Sequence, residues 1–538
     1  MKIALRASIN GRFISAEYGG GRTPPDIALT ANREDILGFE TFDHIVLPNG
    51  TFALQTYTGN YLTADIDGTL RTNATEIGAW ENFYHDGPHI RTIHGRFLTA
   101  RIDKELVPIE TTENRDVWEE FDLINLEPIS KRGGLVRAVG RCVSDDVGLF
   151  HPLGITFFWA LYGWKFERER IYEHLDWMKQ YDIDYLRILG EVDWEGRSIL
   201  PFGWPDYQQT LAEYIDYAYD ECGIRTQLTM TGGKYKTGYE EMIVPVLNER
   251  HHKIMHLEVC NEWERLDKIS RNDMIRVGRY FREHTPNLVA LSTPNPSVES
   301  SYQDMINMGK EAGVNMHVLH TRRSDHDYYW SCVRQGYDLK EFASIASNNE
   351  PQGPQSSVEE LSNPMQLAMA RACGVVCNGA FYVLHVGQGV TGVASPEHGR
   401  PQNMWEVPNI DTIITAVRNI DQALPDGIEN WKCVNNGRDD HPMPLPDDAF
   451  WEGSHNGVVN KNYACINGNQ FVEVLLGVKS ESEVGNVGVG KIKNDATVKA
   501  FDVANNMNVS TVNVKAGTQM SINGRKDTMA GYILNGNI

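Results

Sequence analysis

Between about residues 150 and 425 the chain alternates short apolar runs with stretches whose apolar residues recur every three to four positions, the pattern of strands followed by amphipathic helices. Eight runs predict strands: Ile155–Tyr162, Tyr185–Leu189, Arg225–Met230, Ile254–Cys260, Leu288–Thr293, Met316–His320, Phe342–Ser347 and Ala380–His385. Between the first two, Ile171, Leu175 and Met178 fall at helical spacing. Between the second and third lie Leu211, Ile215, Ala218 and Cys222, with Gly223 as a helix stop. Eight strand–helix units in this span predict a (β/α)8 barrel. After about residue 425 the helical spacing vanishes. Runs such as Phe471–Leu476, Val498–Val503 and Tyr532–Leu534, separated by Gly/Asn/Asp-rich turns, predict a C-terminal β-sandwich that either packs against the barrel or binds glycan.

The first 125 residues carry a different pattern, repeated three times. Gly11-Arg12-Phe13-Ile14-Ser15-Ala16 leads to Gly38-Phe39-Glu40-Thr41-Phe42, and Gly59-Asn60-Tyr61-Leu62-Thr63-Ala64 leads to Gly78-Ala79-Trp80-Glu81-Asn82-Phe83. The third unit runs from Gly95-Arg96-Phe97-Leu98-Thr99-Ala100 to Val117-Trp118-Glu119-Glu120-Phe121. Short alternating strands at a period near forty residues suit a threefold β architecture. The repeat resembles that of fascin-like β-trefoils, which implies a module that binds carbohydrate or anchors to filaments. Phe39, Trp80 and Trp118, with Phe42, Phe83 and Phe121, are expected to pack around the pseudo-threefold axis. The expected organisation is therefore multidomain: trefoil 1–127, TIM barrel 128–424, sandwich 425–538.

Composition narrows the function. The 538 residues are 41% hydrophobic, 10% aromatic and 23% charged, and no apolar run approaches the roughly eighteen residues that span a bilayer. No membrane partner is expected. The start, Met1-Lys2-Ile3-Ala4-Leu5-Arg6, lacks the pattern of a secretory signal, so a soluble protein is expected, with cytoplasmic or virion-associated placement both open. Fifty basic against seventy-two acidic residues give a net charge of −22, which opposes binding to nucleic acid. Eight scattered cysteines show no paired zinc-ligand spacing, and Cys373 and Cys377 fall on one face of a helix. Neither a metal nor another cofactor is expected.

In barrels of this kind the chemistry lies at the C-terminal strand ends. The fourth strand ends Glu258-Val259-Cys260-Asn261-Glu262-Trp263, and the seventh Ser347-Asn348-Asn349-Glu350-Pro351. An Asn-Glu pair after the fourth strand and a glutamate after the seventh resemble clan A glycoside hydrolases. The resemblance implies Glu262 as general acid/base, Asn261 as donor to the sugar 2-hydroxyl and Glu350 as nucleophile. The chemistry agrees: one carboxyl group protonates the leaving oxygen while the other meets positive charge at the anomeric carbon, the two roughly 5–5.5 Å apart for retention and roughly 6.5–9.5 Å for inversion. The shorter separation is expected.

Arg187 on the second strand resembles the clan's arginine beneath the nucleophile, expected to hold Glu350 ionised while an apolar surround keeps Glu262 protonated. On the sixth strand, where the clan often has a His or Tyr against the nucleophile, alternation puts His317 and His320 on opposite faces, and His320 is the one expected in the site. Glu258 falls within its strand, where a structural role below the site is expected, and Glu264 lies past the strand end. The eighth strand departs from the family, reading Phe381-Tyr382-Val383-Leu384-His385 where a tryptophan platform is usual. His385 is a further candidate contact, and Trp164, Trp194, Trp263 and Trp330 are candidate stacking faces for sugar rings. Two other readings compete: an inactive glycan-binding or adhesin protein, which both carboxylates argue against, and a metal-dependent hydrolase, which would need a converging His/Asp set. Sugar, linkage and oligomeric state are not legible.

Overall fold

The computed structural model describes residues 2–47, 51–86, 88–126, 132–263, 268–294, 299–320, 345–355, 361–377, 379–396, 399–434, 461–476, 485–491, 495–524 and 531–537. Trp330, Cys332, Glu264 and positions 342–344 of the seventh predicted strand lie outside them. The chain divides into two compact units, Met1–Ile129 and Ser130–Ile538. No helix among the described residues is long and apolar enough to cross a membrane.

The first unit is a twelve-stranded antiparallel sheet system in which each sequence repeat contributes four strands and a 3-10 turn before its fourth strand, the first repeat adding a second turn at Glu17–Gly19. Its core takes Leu5, Ile14, Leu54, Leu62 and Leu98 together with Phe42, Phe83 and Phe121. The expectation for the other aromatics is corrected. Phe39 and Trp80 are each 41% exposed and Trp118 is half-buried. The cause is the 3-10 turn on which each sits: its glutamate turns inward, where Glu40, Glu81 and Glu119 accept hydrogen bonds from the backbone N–H of Leu37, Gly78 and Asp116 at 3.0, 2.7 and 2.9 Å. That capping geometry leaves the preceding aromatic on the outer side.

In the second unit eight parallel strands close into a barrel: β1 (Leu153–Thr156), β2 (Tyr185–Leu189), β3 (Arg225–Thr231), β4 (Ile254–Cys260), β5 (Val289–Pro294), β6 (Met316–His320), β7 (Ile345–Asn348) and β8 (Gly379–Leu384). β8 pairs back to β1. Strands covered on both faces are buried along their whole length, which is why their runs are legible without strict alternation. One run was overread. Ile155–Tyr162 spans the end of β1 and enters the helix Ala160–Phe166, because a short apolar run does not distinguish a buried strand from a buried helix.

The N-terminal end of the barrel is filled by Tyr185, Met255, Leu288, Met316, Ile345 and Phe381, closed by Val136 and by Val143 of a small antiparallel sheet at Arg137–Val139, Cys142–Ser144 and Leu149–Phe150. Above this apolar plug the interior turns polar. Beyond the barrel, a six-stranded antiparallel sheet buries Val472, Val474 and Ile533 in the barrel's main core, and Pro364–Cys377 is the helix it packs on. Phe471, Val498 and Leu534 form a separate core with Met520 and Ile522 of a two-stranded sheet. Pro364–Cys377 carries both Cys373 and Cys377, as their spacing predicts.

Candidate active site

The polar layer begins on β2. Arg187 is fully buried, and its Nη1 donates to Glu350 Oε1 at 2.7 Å, while Nη2 donates to Asn261 Oδ1 at 2.8 Å and to Glu258 Oε2 at 3.1 Å. One guanidinium therefore ties the ends of β4 and β7 to β2. Burial opposes its charge, but the carboxylates of Glu258 and Glu350 outweigh that and hold Arg187 above its ordinary value. Phe158 lies under the guanidinium, 4.8 Å from ring centroid to Cζ.

Glu258 faces inward on β4 and is fully buried, as expected for a residue below the site. Burial pushes its carboxyl up, yet the Arg187 guanidinium and the hydroxyls of Thr229 and Ser292 hold it below the usual carboxylate range. Thr229 Oγ1, Gln227 Nε2 and Asn349 Nδ2 donate to its Oε2 at 2.6, 3.1 and 3.0 Å.

Above this layer stand the two expected carboxylates. Glu262 follows β4 with φ of 50°, a left-handed backbone rare for a residue with a side chain and of the kind that collects at functional sites. Glu350 follows β7, where the register against β8 shifts between Ala346 and Ser347 and the Asn348 side chain accepts from the Glu350 N–H at 3.3 Å. His320 closes β6 between the two: its Nδ1 lies 3.2 Å from Glu262 Oε1 and 3.5 Å from Glu350 Oε2. One ligand atom each from Glu262, His320 and Glu350 all lie within 4.8 Å of one another. Glu262, Glu350 and His320 are 7%, 5% and 2% exposed.

The same trio is the set among the described residues whose atoms converge closely enough to hold a cation. The charges around it favour another use, since the Arg187 guanidinium already occupies Glu350 at 2.7 Å and opposes a second cation beside it. With Asn261 Oδ1 held by Arg187, the amide nitrogen of Asn261 is the side of that residue turned to donate. The apolar surround expected for Glu262 is replaced by the His320 imidazole.

The remaining candidates divide. His317 points out of the barrel, its Nε2 2.2 Å from where a Cβ on Gly309 would stand, so only one of the two histidines enters the site. His385 is buried at the end of β8, its Nδ1 2.8 Å from Thr156 Oγ1 and its ring 6.2 Å from Phe158, which links it to the floor beside Arg187. Trp164 is 2% exposed and packed among Tyr172, Tyr214 and Tyr217 with Arg168 over its ring, so it offers no face to a sugar. It belongs to the helix that the first apolar run concealed. Trp194 and Trp263 are half-buried at the strand ends, and the Trp263 indole nitrogen is buried with no hydrogen-bond partner among the described residues.

Sequence reasoning passed over Asn349, Phe158 and Glu191. Asn349 carried a signal in the Asn348-Asn349 pair before Glu350. Glu191 is held by the Thr231 hydroxyl and the Gly233 N–H after β2, and burial pushes its carboxyl above the usual range. A lone carboxylate two residues beyond a strand gave no such warning.

Comparison of the sequence with protein-family models and with curated proteins gives no match. The fold does have solved counterparts. A glycoside hydrolase family 5 structure from Bacteroides vulgatus superposes with a TM-score of 0.53 at 10% identity, covering 76% of this chain and 93% of that one. A second structure, described as a glycoside hydrolase, gives 0.51 at 11% identity, covering 76% and 98%. At such identity the likeness is one of fold.

Proposed function

We propose that the chain is a retaining glycoside hydrolase acting on β-linked oligo- or polysaccharide through Glu262 and Glu350. One observation carries the reading: two buried carboxylates at the C-terminal mouth of a closed parallel barrel, with oxygens within 4.8 Å, of which Glu350 accepts from the buried Arg187 guanidinium. Oxygens this near each other favour a nucleophile that bonds directly to the anomeric carbon over inversion, for which the carboxyl groups stand roughly 6.5–9.5 Å apart to admit a water.

In the first step Glu262 gives its proton to the glycosidic oxygen as that C–O bond breaks and a Glu350 oxygen bonds to the anomeric carbon. In the second, Glu262 takes a proton from a water whose oxygen displaces Glu350. Arg187 keeps Glu350 anionic and oriented, Asn261 donates to the 2-hydroxyl, and Trp263, Trp194 and His385 are the proposed contacts to sugar. The sharing of fold with glycoside hydrolases supports this reading, and the strand-eight sequence, lacking tryptophan, supports a binding site unlike the usual one.

The accessory parts extend the proposal. Three repeats of four strands support a β-trefoil over 1–127, with a carbohydrate or filament surface as its ligand. Two sheets sharing a core support a sandwich over 425–538 that braces the barrel at 128–424.

The test is hydrolysis of a panel of β-linked oligosaccharides by the parent and by Glu350→Ala, with the anomer of the first product read by proton NMR. The parent should release product of retained configuration and the variant should lose at least about 10³-fold in kcat. Glycan binding by both proteins without cleavage by either would instead support the binding-protein reading, and an inverted first product would remove the double displacement.

A further inference from the structure

The hydrogen bonds around His320 have a fixed direction, and it is set two residues away. Glu258 Oε2 accepts from Arg187, Gln227 and Thr229 and is ionised, so the Asn349 atom 3.0 Å from it must be the amide nitrogen. The Asn349 oxygen then faces His320 Nε2 at 2.7 Å. An amide oxygen only accepts, so Nε2 must carry a proton. In neutral His320 this leaves Nδ1 as a bare lone pair aimed at Glu262 Oε1.

We infer that Glu258 and Asn349 act as positioning residues that hold His320 in the Nε2–H tautomer, so that its Nδ1 shares the acid proton of Glu262. The inference rests on the hydrolase reading for its catalytic meaning. A lone pair facing Glu262 favours the protonated carboxyl and disfavours the carboxylate. The same nitrogen stands 3.5 Å from Glu350 Oε2, but there Arg187 at 2.7 Å supplies the opposing charge. One histidine and one arginine thus split two neighbouring carboxylates into an acid and an anion.

The resting pair holds one proton as O–H···Nδ1. That proton leaves with the glycosidic oxygen, and the Glu262 carboxylate facing the lone pair regains one from the attacking water. His320 keeps its Nε2 proton throughout. Among the described residues the charged groups facing this pair are Arg187 from β2, Glu258 from β4 and Glu350 from β7.

The test is nitrogen NMR of the free protein labelled with 15N-histidine, the His320 signals being those lost in His320→Gln. The parent should show Nε2 protonated and Nδ1 bare. Glu258→Gln releases the Asn349 amide to turn over, and Asn349→Ala removes it and serves where the first variant does not fold. Either should admit the Nδ1–H tautomer and move the basic limb of the kcat/KM profile down by roughly one pH unit. Nδ1 protonated in the parent, or variants with tautomer and limb both unchanged, would overturn the relay. An unreactive parent with Nε2–H keeps the relay and overturns the hydrolase reading, so the two failures are distinct.

Discussion

Replacing Arg187 by methionine isolates what the central ion network is worth. Arg187 and Glu258 are both fully buried, with Nη2 and Oε2 3.1 Å apart. At an effective dielectric of about 20 that pair attracts by roughly 5 kcal/mol, most of which offsets the desolvation of the two ions. Arg187→Met removes the attraction and leaves Glu258 buried among neutral donors such as Thr229, Gln227 and Asn349. The expected loss is about 3–5 kcal/mol, the cost of an orphaned buried charge rather than of a contact. Arg187→Met/Glu258→Gln removes that charge and should recover about 1–3 kcal/mol relative to the sum of the single variants. Urea unfolding followed by circular dichroism checks this through midpoints at unchanged slope. Singles that simply add in the double variant would refute the reasoning, since Arg187 would then stabilise by packing on Phe158 and not by charge. Both variants that lack Arg187 should be catalytically impaired, because Arg187 also holds Glu350 and Asn261.

Other outcomes follow from particular contacts. Burial pushes His174 and His317 down to about 4 and His256 to about 3. Because these values lie below the unfolded 6.5, their stabilisation is complete above pH 6.5 and is lost as pH falls toward 4. Each contributes about 1.4 kcal/mol per pH unit, measurable as a falling urea midpoint of the barrel unit. A midpoint flat across that range would show that these rings are hydrated. Trp164→Ala should cost about 3–5 kcal/mol in stability and leave the KM of the surviving folded enzyme near the parent's, whereas Trp194→Ala should raise KM with little loss of stability. Gly353→Ala places a Cβ 2.0 Å from the His385 carbonyl oxygen, so it should push the Glu350 segment off the end of β8, lowering kcat and thermal midpoint together. Normal kcat in that variant would detach the segment from the chemistry.

What the sequence determined by itself was the run of buried strands and the carboxylates that follow β4 and β7. Runs buried on both faces announced the barrel strands, and Tyr185–Leu189, Ile254–Cys260 and Met316–His320 were read to the residue. Threefold repetition announced that the first unit is built of antiparallel strands in three repeats of four. Alternation put His317 and His320 on opposite faces, because strand geometry is local, and nearness to the C-terminal strand end singled out His320. The tertiary structure decided whatever depends on which atoms meet from distant strands. Trp164 became core because a helix begins where an apolar run still reads as strand, and Phe39 and Trp80 came to the surface because a capping glutamate took the inner position. Glu258 and Asn349, 91 residues apart, are joined by one hydrogen bond that only barrel closure creates. The direction of that bond, imposed by the buried Arg187 charge, gives His320 its tautomer, and no residue type at any spacing carries that information.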